Sequence, residues 1–384
     1  MLSAQVNDTT NGSANLYVAL ELSGKCWKIG IKDGRHEKPS IYNAVAEQPD
    51  RRLGETVERI EAQKRKWELG GDCKVHVVYE AGQDGFWIYR ALRAQGYECL
   101  VADPASIPVN RHARRAKTDR LDTLLLLSSL MAYLGGDRNR MRVIRVPSEA
   151  DEDLRHIARS RGELQKEIGQ HKQRMSKLLQ TVGNWENVDG KLSERLKEGQ
   201  VYGYGGKPIK EELRKQLVDE CERLSLVEKQ FAALEKEMLA RLPKEIQERV
   251  AKLERLKGVG RVGAMRLVLE LFWRKFENRR ELGACIGLVP QPWDSGTMRS
   301  DQGISKQGNR RVRALLVEMA WMWLRYQPES GLARWFASRT SGGNVPNKRS
   351  KRIAIVAVAR KLAIALWRYL ENGVMPKEAA LKPV

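Results

Sequence analysis

Alternating apolar and polar residues dominate the first part of the chain. Residues 16–23 alternate as in a half-buried strand, and a Ser-Gly-Lys turn leads into residues 26–32 as its antiparallel hairpin partner. Further apolar runs predict strands at residues 74–80 and 97–102 and a short extended piece at 142–146. Amphipathic patterns predict helices over residues 51–69, 84–95 and 118–134, the second capped by Asp84 and the third by Thr118.

The pattern becomes helical and highly charged from Ser148 onwards. Acidic residues follow Ser148 in the first turns of this segment. Negative charge there interacts favourably with the helix dipole, so the pattern predicts that a helix begins at this point. After a Gly-rich break, a second long helix is predicted over residues 210–242. Its apolar residues recur every three or four positions, namely Leu213, Leu217, Cys221, Leu224, Val227, Phe231, Leu234 and Met238. This coiled-coil-like stripe predicts an antiparallel arm used for spacing or oligomerisation.

These patterns predict an α/β domain followed by all-α regions. The predicted segments are a disordered tail at 1–14, a mixed sheet domain at 15–147, a coiled-coil-like region at 148–250 and a basic helical domain at 251–384. Tryptophans and arginines interleave in the last of these.

Charge narrows the possible partners. The 384 residues carry a net charge of +21, and residues 251–384 contribute most of it, with 26 Lys and Arg against 10 Asp and Glu. A polyanion is therefore expected, most plausibly nucleic acid rather than a membrane surface. No 18-residue apolar run and no N-terminal leader pattern occur, so we expect neither secretion nor a membrane span. Five scattered cysteines without a CxxC motif fit a reducing cytoplasm and argue against zinc.

Four carboxylates are candidates for a metal site. Glu21 and Glu80 each end a predicted strand, and Asp119 and Asp122 stand three apart on one face of a predicted helix. Carboxylate oxygens suit Mg²⁺ or Mn²⁺, which assist phosphodiester chemistry. In the alternative, Asp119 caps the helix and Asp122 is a solvated neighbour.

A glycine-rich segment, residues 256–264, lies between two predicted helices. Lys257, Gly258, Gly260 and Arg261 match a helix-hairpin-helix motif, whose free backbone N–H groups hold a phosphate without reading sequence. A plain helix–helix turn is the alternative.

A polar loop near residue 295 carries a candidate nucleophile. Ser295 is followed within twenty residues by five cations, namely Arg299, Lys306, Arg310, Arg311 and Arg313. A serine attacking a phosphodiester needs such cations and an activating base or metal. A simple Ser-Gly turn is the alternative, and no histidine lies nearby in sequence to serve as the base.

Together, these motifs resemble the RuvC-like DEDD transposases of bacterial insertion sequences that are guided by a bridge RNA, and the related Piv-type DNA invertases. The resemblance rests on three segments: Tyr-Glu-Ala-Gly at 79–82, Lys-Thr-Asp-Arg-Leu-Asp at 117–122, and the run from Gly287 through Ser295 to Arg313. It covers nearly the whole chain.

The resemblance implies an RNase H-like first domain with Mg²⁺ or Mn²⁺ on the tetrad Glu21, Glu80, Asp119 and Asp122. It implies Ser295 as nucleophile, donor and target DNA and a non-coding bridge RNA as partners, a dimer or tetramer, and a nucleoid-associated place in the bacterial cytoplasm. The family usually has Asp at the first tetrad position, where this chain has Glu21.

Two other functions remain open from the sequence. A Holliday-junction-resolvase-like nuclease would use the tetrad with water as nucleophile and leave Ser295 as a turn residue. A non-catalytic nucleic-acid-binding scaffold would need no carboxylate at all.

Overall fold

The computed structural model describes residues 14–82, 85–107, 118–295, 298–340 and 348–383, with the backbone alone for residues 105 and 292–302. Predictions for residues 1–13, Asp84, Lys117, Gly296 and Thr297 therefore lie outside the described part. The chain divides into two compact units, Met1–Val146 and Pro147–Val384.

Five strands form a mixed sheet in the first unit. They are β1 (Asn15–Glu21), β2 (Trp27–Lys32), β3 (Ser40–Ala44), β4 (Lys74–Glu80) and β5 (Glu98–Ala102), in the order β3-β2-β1-β4-β5. β1 is the central strand. It pairs antiparallel with β2 and parallel with β4. This mixed α/β architecture is consistent with an RNase H-like DEDD domain.

Three helices cover the two faces of the sheet: α1 (Pro49–Lys66), α2 (Trp87–Ala94) and α3 (Asp119–Leu134). Ile60 of α1 and Leu92 of α2 are buried with the even-numbered residues of β1. Leu126 and Leu130 of α3 are buried on the opposite face with Ala19 of β1. Strand alternation thus assigns each residue of β1 to one of two cores.

The strand and helix predictions for this unit are confirmed, with two differences. The pattern does not predict the edge strand β3, which is only half-buried over most of its length. The N-cap of α2 is Phe86, two residues after the predicted cap Asp84, which lies outside the described part. Gly85 has a φ of 71°, a left-handed conformation that a right-handed helix cannot include.

Nine helices and one β-hairpin are described in the second unit. The helices are α4 (Glu149–Gln180), α5 (Leu192–Lys197), α6 (Glu211–Glu237), α7 (Lys244–Glu254), α8 (Arg261–Glu270), α9 (Arg279–Ile286), α10 (Arg310–Tyr326), α11 (Gly331–Thr340) and α12 (Lys348–Asn372). The hairpin strands are β6 (Pro290–Ser295) and β7 (Met298–Ile304).

Helices α4 and α6 form an antiparallel arm. Arg161 contacts Glu235, Lys172 contacts Glu228, and Met175 contacts Cys221, so residues later in α4 meet residues earlier in α6. The predicted apolar stripe of α6 is used inside this arm. Leu217 and Leu224 are buried in one cluster with Met175, Leu179 and Leu192. These stripe residues therefore fill the chain's own core.

Helices α7 to α12 share a second core around α8 and α12. Trp323 of α10 is 1% exposed, and its indole N–H donates to the hydroxyl of Ser330 at 3.0 Å. The interleaved tryptophans thus serve partly as core residues, whereas Trp321 is 45% exposed. Within the described residues, no helix is both long and apolar enough to cross a membrane.

A buried carboxylate lies in the middle of the arm. Glu220 is 3% exposed and accepts hydrogen bonds from His171 Nδ1 at 2.6 Å, Arg174 at 2.8 Å and Arg223 at 2.7 Å. Burial alone would raise the pKa of Glu220, but the hydrogen bonds from His171 and Arg174 outweigh it and hold this pKa below its ordinary value.

We expect Glu220→Gln to destabilise the arm, because an amide offers one acceptor oxygen in place of two to the three donors around it, His171 among them. The loss should be about 1–3 kcal/mol. It can be measured as faster amide hydrogen exchange along α4 and α6. The control is Glu228→Gln, which removes the half-exposed pair with Lys172 and should cost under about 1 kcal/mol.

The same lowered pKa fixes the sign of the pH dependence. The stabilisation by Glu220 is fully present above the unfolded-state pKa, about 4.3, and is lost as the pH falls through the folded-state pKa. Acid should therefore loosen the arm of the native chain, and the Glu220→Gln arm should respond less.

Candidate functional site

Two of the predicted carboxylates end neighbouring parallel strands. Leu20 of β1 pairs in register with Tyr79 of β4, and the next residues are Glu21 and Glu80. Alternation from Ala19 and Val78, which both face α3, places Glu21 and Glu80 on that same face. Both are half-buried. The carboxyl ends of two parallel strands thus present two acids side by side towards one helix.

The other two carboxylates lie in the first turn of that helix. Thr118 caps α3, its hydroxyl accepting from the Leu121 N–H at 3.3 Å. One turn after Asp119, the methyl group of Thr123 lies 2.7 Å from the position that a Cβ on Gly30 would take. Because Gly30 pairs with Ala19, the first turn of α3 is held close to the end of β1.

The described side chains do not form a complete set of metal ligands. No group of three or more His, Cys, Asp or Glu among the residues that the structure describes lies close enough to hold a metal ion. The donor set nevertheless suits a hard divalent cation, because β1, β4 and α3 each supply carboxylate oxygens. The strand register and the first turn of α3 bring these acids towards one end of the sheet.

The glycine-rich segment forms a tight turn between α7 and α8. Gly258 has a φ of 80°, and a Cβ there would lie 3.2 Å from both the Met322 carbonyl oxygen and the Trp323 Cα. Gly260 is the N-cap of α8, with open space around it. Arg261 at the start of α8 is paired with Glu254 at 3.2 Å.

The C-terminal segment pairs with this turn, a contact that the sequence does not signal. The Lys257 N–H donates to the Ala380 carbonyl at 3.1 Å, and Lys382 Nζ donates to the Val259 carbonyl at 3.0 Å. Buried Gln327 joins the two, donating to the Lys257 carbonyl and accepting from the Ala380 N–H. One flank of the turn is therefore occupied, while the side chain of Lys257 is exposed.

Ser295 is the last residue of β6, at the tip of the β6–β7 hairpin. It pairs in register with Met298, and Asp294 pairs with Arg299. The side chains of Ser295 and Arg299 lie outside the described part. The backbone thus projects Ser295 away from the base of the hairpin, where the strands join the helical core.

The base of the hairpin is locked by close backbone contacts. The Ser305 N–H donates to the Val289 carbonyl at 2.9 Å. A Cβ on Gly287 would lie 1.8 Å from the Gln307 carbonyl oxygen, and one on Gly308 would lie 2.0 Å from the Cys285 carbonyl oxygen. Only glycine fits at these two positions, both of which have positive φ.

The predicted cations around the hairpin have different surroundings. Lys306, Arg310 and Arg311 are exposed. Arg313 instead donates through Nη1 to the carbonyls of Ile286 and Gln307, at 3.2 and 3.1 Å. Burial and then neighbouring Arg310 lower the pKa of Arg313. The Arg313 guanidinium therefore stabilises the loop at the base of the hairpin through these two hydrogen bonds.

A mixed sheet with acids at two neighbouring strand ends, in a chain whose other unit is helical and basic, is typical of enzymes that act on nucleic acid. Residues 34–184 match the DEDD transposase family model of IS110 elements, and residues 250–334 match the transposase IS116/IS110/IS902 family model. The first match includes Glu80, Asp119 and Asp122 and begins after Glu21. The second includes Ser295. A DEDD domain implies dependence on a divalent metal in general.

Similarity to known proteins extends along nearly the whole chain. A Sinorhizobium fredii protein named transposase y4rJ is 38% identical over 96% of this chain and 94% of its own length. The transposase of insertion sequence element IS1533 from Leptospira borgpetersenii is 26% identical over 80% of this chain and 84% of its own length. This chain belongs to the IS110 family of insertion-sequence transposases.

The two glycines of the α7–α8 turn provide a matched test of its geometry. We expect Gly258→Ala to lower the thermal midpoint and weaken DNA binding, because the new methyl group meets the backbone of α10 and φ is positive. A destabilisation of about 1–3 kcal/mol is expected. Gly260→Ala, with ordinary φ and open space, should change stability by under about 1 kcal/mol. Equal effects from the two substitutions would contradict a turn shaped by contact with α10.

Proposed function

We propose that this chain is the DNA recombinase that moves its own insertion sequence by strand exchange through a covalent serine–DNA link. The parallel register of β1 and β4 carries this proposal, because it sets Glu21 beside Glu80 facing the helix that begins with Asp119. The family membership and the basic second unit support DNA as the substrate.

The proposed step is attack by the Ser295 hydroxyl oxygen on the scissile phosphorus. The oxygen–phosphorus bond forms as the bond from phosphorus to a deoxyribose oxygen breaks. The hydroxyl proton passes to a tetrad carboxylate and from there to the leaving deoxyribose oxygen, which departs as a hydroxyl group. The number of phosphodiester bonds is conserved. Attack by the deoxyribose hydroxyl of the exchanging strand then reseals DNA and releases Ser295.

The metal would be held by the carboxylates of the tetrad, namely Glu21, Glu80, Asp119 and Asp122. Mg²⁺ or Mn²⁺ bound there supplies positive charge that activates the serine and stabilises the pentavalent transition state. Exposed Lys306, Arg310 and Arg311 would steady the phosphate charge near the hairpin.

Partner recognition is proposed from the resemblance and from charge. A non-coding bridge RNA would pair with donor and target DNA, while the basic surface holds phosphates without reading bases. The α7–α8 turn, with exposed Lys257 and the N-terminus of α8, is a proposed phosphate contact. The resemblance also suggests that the serine of one subunit works with the tetrad of another, in a dimer or tetramer.

We expect Ser295→Ala to abolish both recombination and the covalent adduct. The assay combines purified chain, RNA transcribed from the flanking region, donor and target DNA, and Mg²⁺, with adducts resolved under denaturing conditions. Asp119→Asn with Asp122→Asn should abolish the same products. A loss of about 10³-fold or more is expected for each.

Each alternative function has its own outcome in this assay. Cleavage that persists in Ser295→Ala without an adduct would replace the proposal with a water-using nuclease. Activity that persists in the double Asn variant would leave only a scaffold. Omission of the RNA tests guidance separately from chemistry.

Glu21 provides a graded test of the tetrad. We expect Glu21→Asp to retain recombination within about tenfold, because it keeps a carboxylate with one methylene less, whereas Glu21→Gln should lose about 10²-fold or more. Mn²⁺ binding measured by electron paramagnetic resonance should weaken in the same order. Equal activity of the Gln and Asp variants would remove Glu21 from the tetrad.

A further inference from the structure

A basic cleft of about 750 Å³ lies in the second unit, between α9, α12 and the base of the β6–β7 hairpin. Among the described residues that line it, none is acidic. Six are cationic: Arg279, Arg280, Arg352, Arg360, Lys361 and Arg368. A concave surface with one sign of charge concentrates an anionic ligand.

Helix α12 forms the wall of this cleft with a regular ridge. Arg352, Val356, Arg360, Ile364 and Arg368 all line the cleft and follow one another at four-residue intervals. Residues so spaced lie along one face of a helix, so successive arginines of this ridge stand about 12 Å apart along its axis. Cationic and apolar contacts therefore alternate along one wall.

Arg360 is the most informative member of the ridge. Its Nε is buried and has no hydrogen-bond partner among the described residues. A Cβ at Gly283 of α9 would lie 3.2 Å from this Nε and 3.5 Å from Nη2, so the absent side chain gives the guanidinium room. A buried N–H group without an acceptor is costly. A bound ligand that accepts a hydrogen bond from this guanidinium would remove that cost.

The volume of the cleft and its apolar lining limit the kinds of ligand that can bind there. Its volume is that of a pocket for one small ligand, far less than a double helix needs, and Leu288, Ile304 and Leu332 supply apolar surface. Phosphates suit the arginines, and an exposed base suits the apolar floor. We propose that this cleft binds unpaired nucleotides of a nucleic-acid strand next to the hairpin that ends in Ser295. This inference rests on the proposed function.

The charge contacts are tested by binding without catalysis. Full-length chain is titrated against a fluorescein-labelled 12-nucleotide single-stranded DNA, the same sequence as RNA, and its DNA duplex, with anisotropy as readout. Arg352→Ala with Arg368→Ala should weaken single-strand binding about tenfold or more and flatten the log K against log salt slope by about 1.4. Lys351→Ala, one residue from the ridge on the same helix, should change it less than about twofold.

A substitution at Arg360 distinguishes a residue that contacts the ligand from one that only stabilises the fold. Arg360→Met keeps the apolar stem and removes the buried charge, so the thermal midpoint should stay or rise while single-strand affinity falls. A fall in both would make Arg360 a structural residue and overturn its part in the cleft.

The apolar contacts have a separate readout. A strand with one 2-aminopurine should brighten on binding, since no aromatic residue is among those described in the cleft. Ile353 lines the cleft and is 59% exposed, so Ile353→Ser spares the core. It should reduce the brightening without changing the salt slope.

Other outcomes would overturn the inference. An equal loss of duplex and single-strand binding would make the cleft a duplex contact, and competition by polyglutamate as strong as by DNA would make it a peptide site. The DNA and RNA arms identify the source of the strand. If the cleft variants bind single strands as tightly as the native chain while Ser295→Ala still abolishes recombination, this inference fails and the proposed function stands.

Discussion

The parallel pairing of β1 with β4 is the constraint on which the first unit depends. Side-chain alternation has a period of two, so a slip of one residue would send Glu21 or Glu80 to the opposite face. The buried apolar residues on both faces of β1 prevent such a slip, since it would expose one whole set. Core packing and the placement of the acids are therefore fixed together.

A different constraint positions the hairpin in the second unit. Gly287 and Gly308 let the backbone cross itself at contacts too close for any side chain, and Arg313 ties the loop carbonyls together. The stiff base leaves Ser295 at the far end of two strands. The hairpin is thus held firmly where it joins the core, and its two strands lead away from that core.

Sequence periodicity predicts the helices and strands of this protein better than it predicts which segments they pack against. The apolar stripe through Leu217 and Leu224 is visible in the sequence, but periodicity cannot tell whether the partner helix is in the same chain. Similarly, a Gly-rich turn is visible at Gly258, whereas its closure by Lys382 from the C-terminus depends on long-range folding. The acids Glu21 and Glu80 are predictable because strand ends are local features.

The cleft wall is hidden from sequence reasoning for a physical reason. Helix α12 buries residues such as Val358, Leu362 and Leu366 in the core, and its ridge also carries apolar residues between the arginines. A helix that is apolar on most sides shows little amphipathic contrast. Only the contacts of the folded chain distinguish the core face of α12 from the ridge. The space around the Arg360 guanidinium, for example, depends on Gly283 of another helix, α9. A surface cleft built on a core helix therefore becomes visible only in the structure.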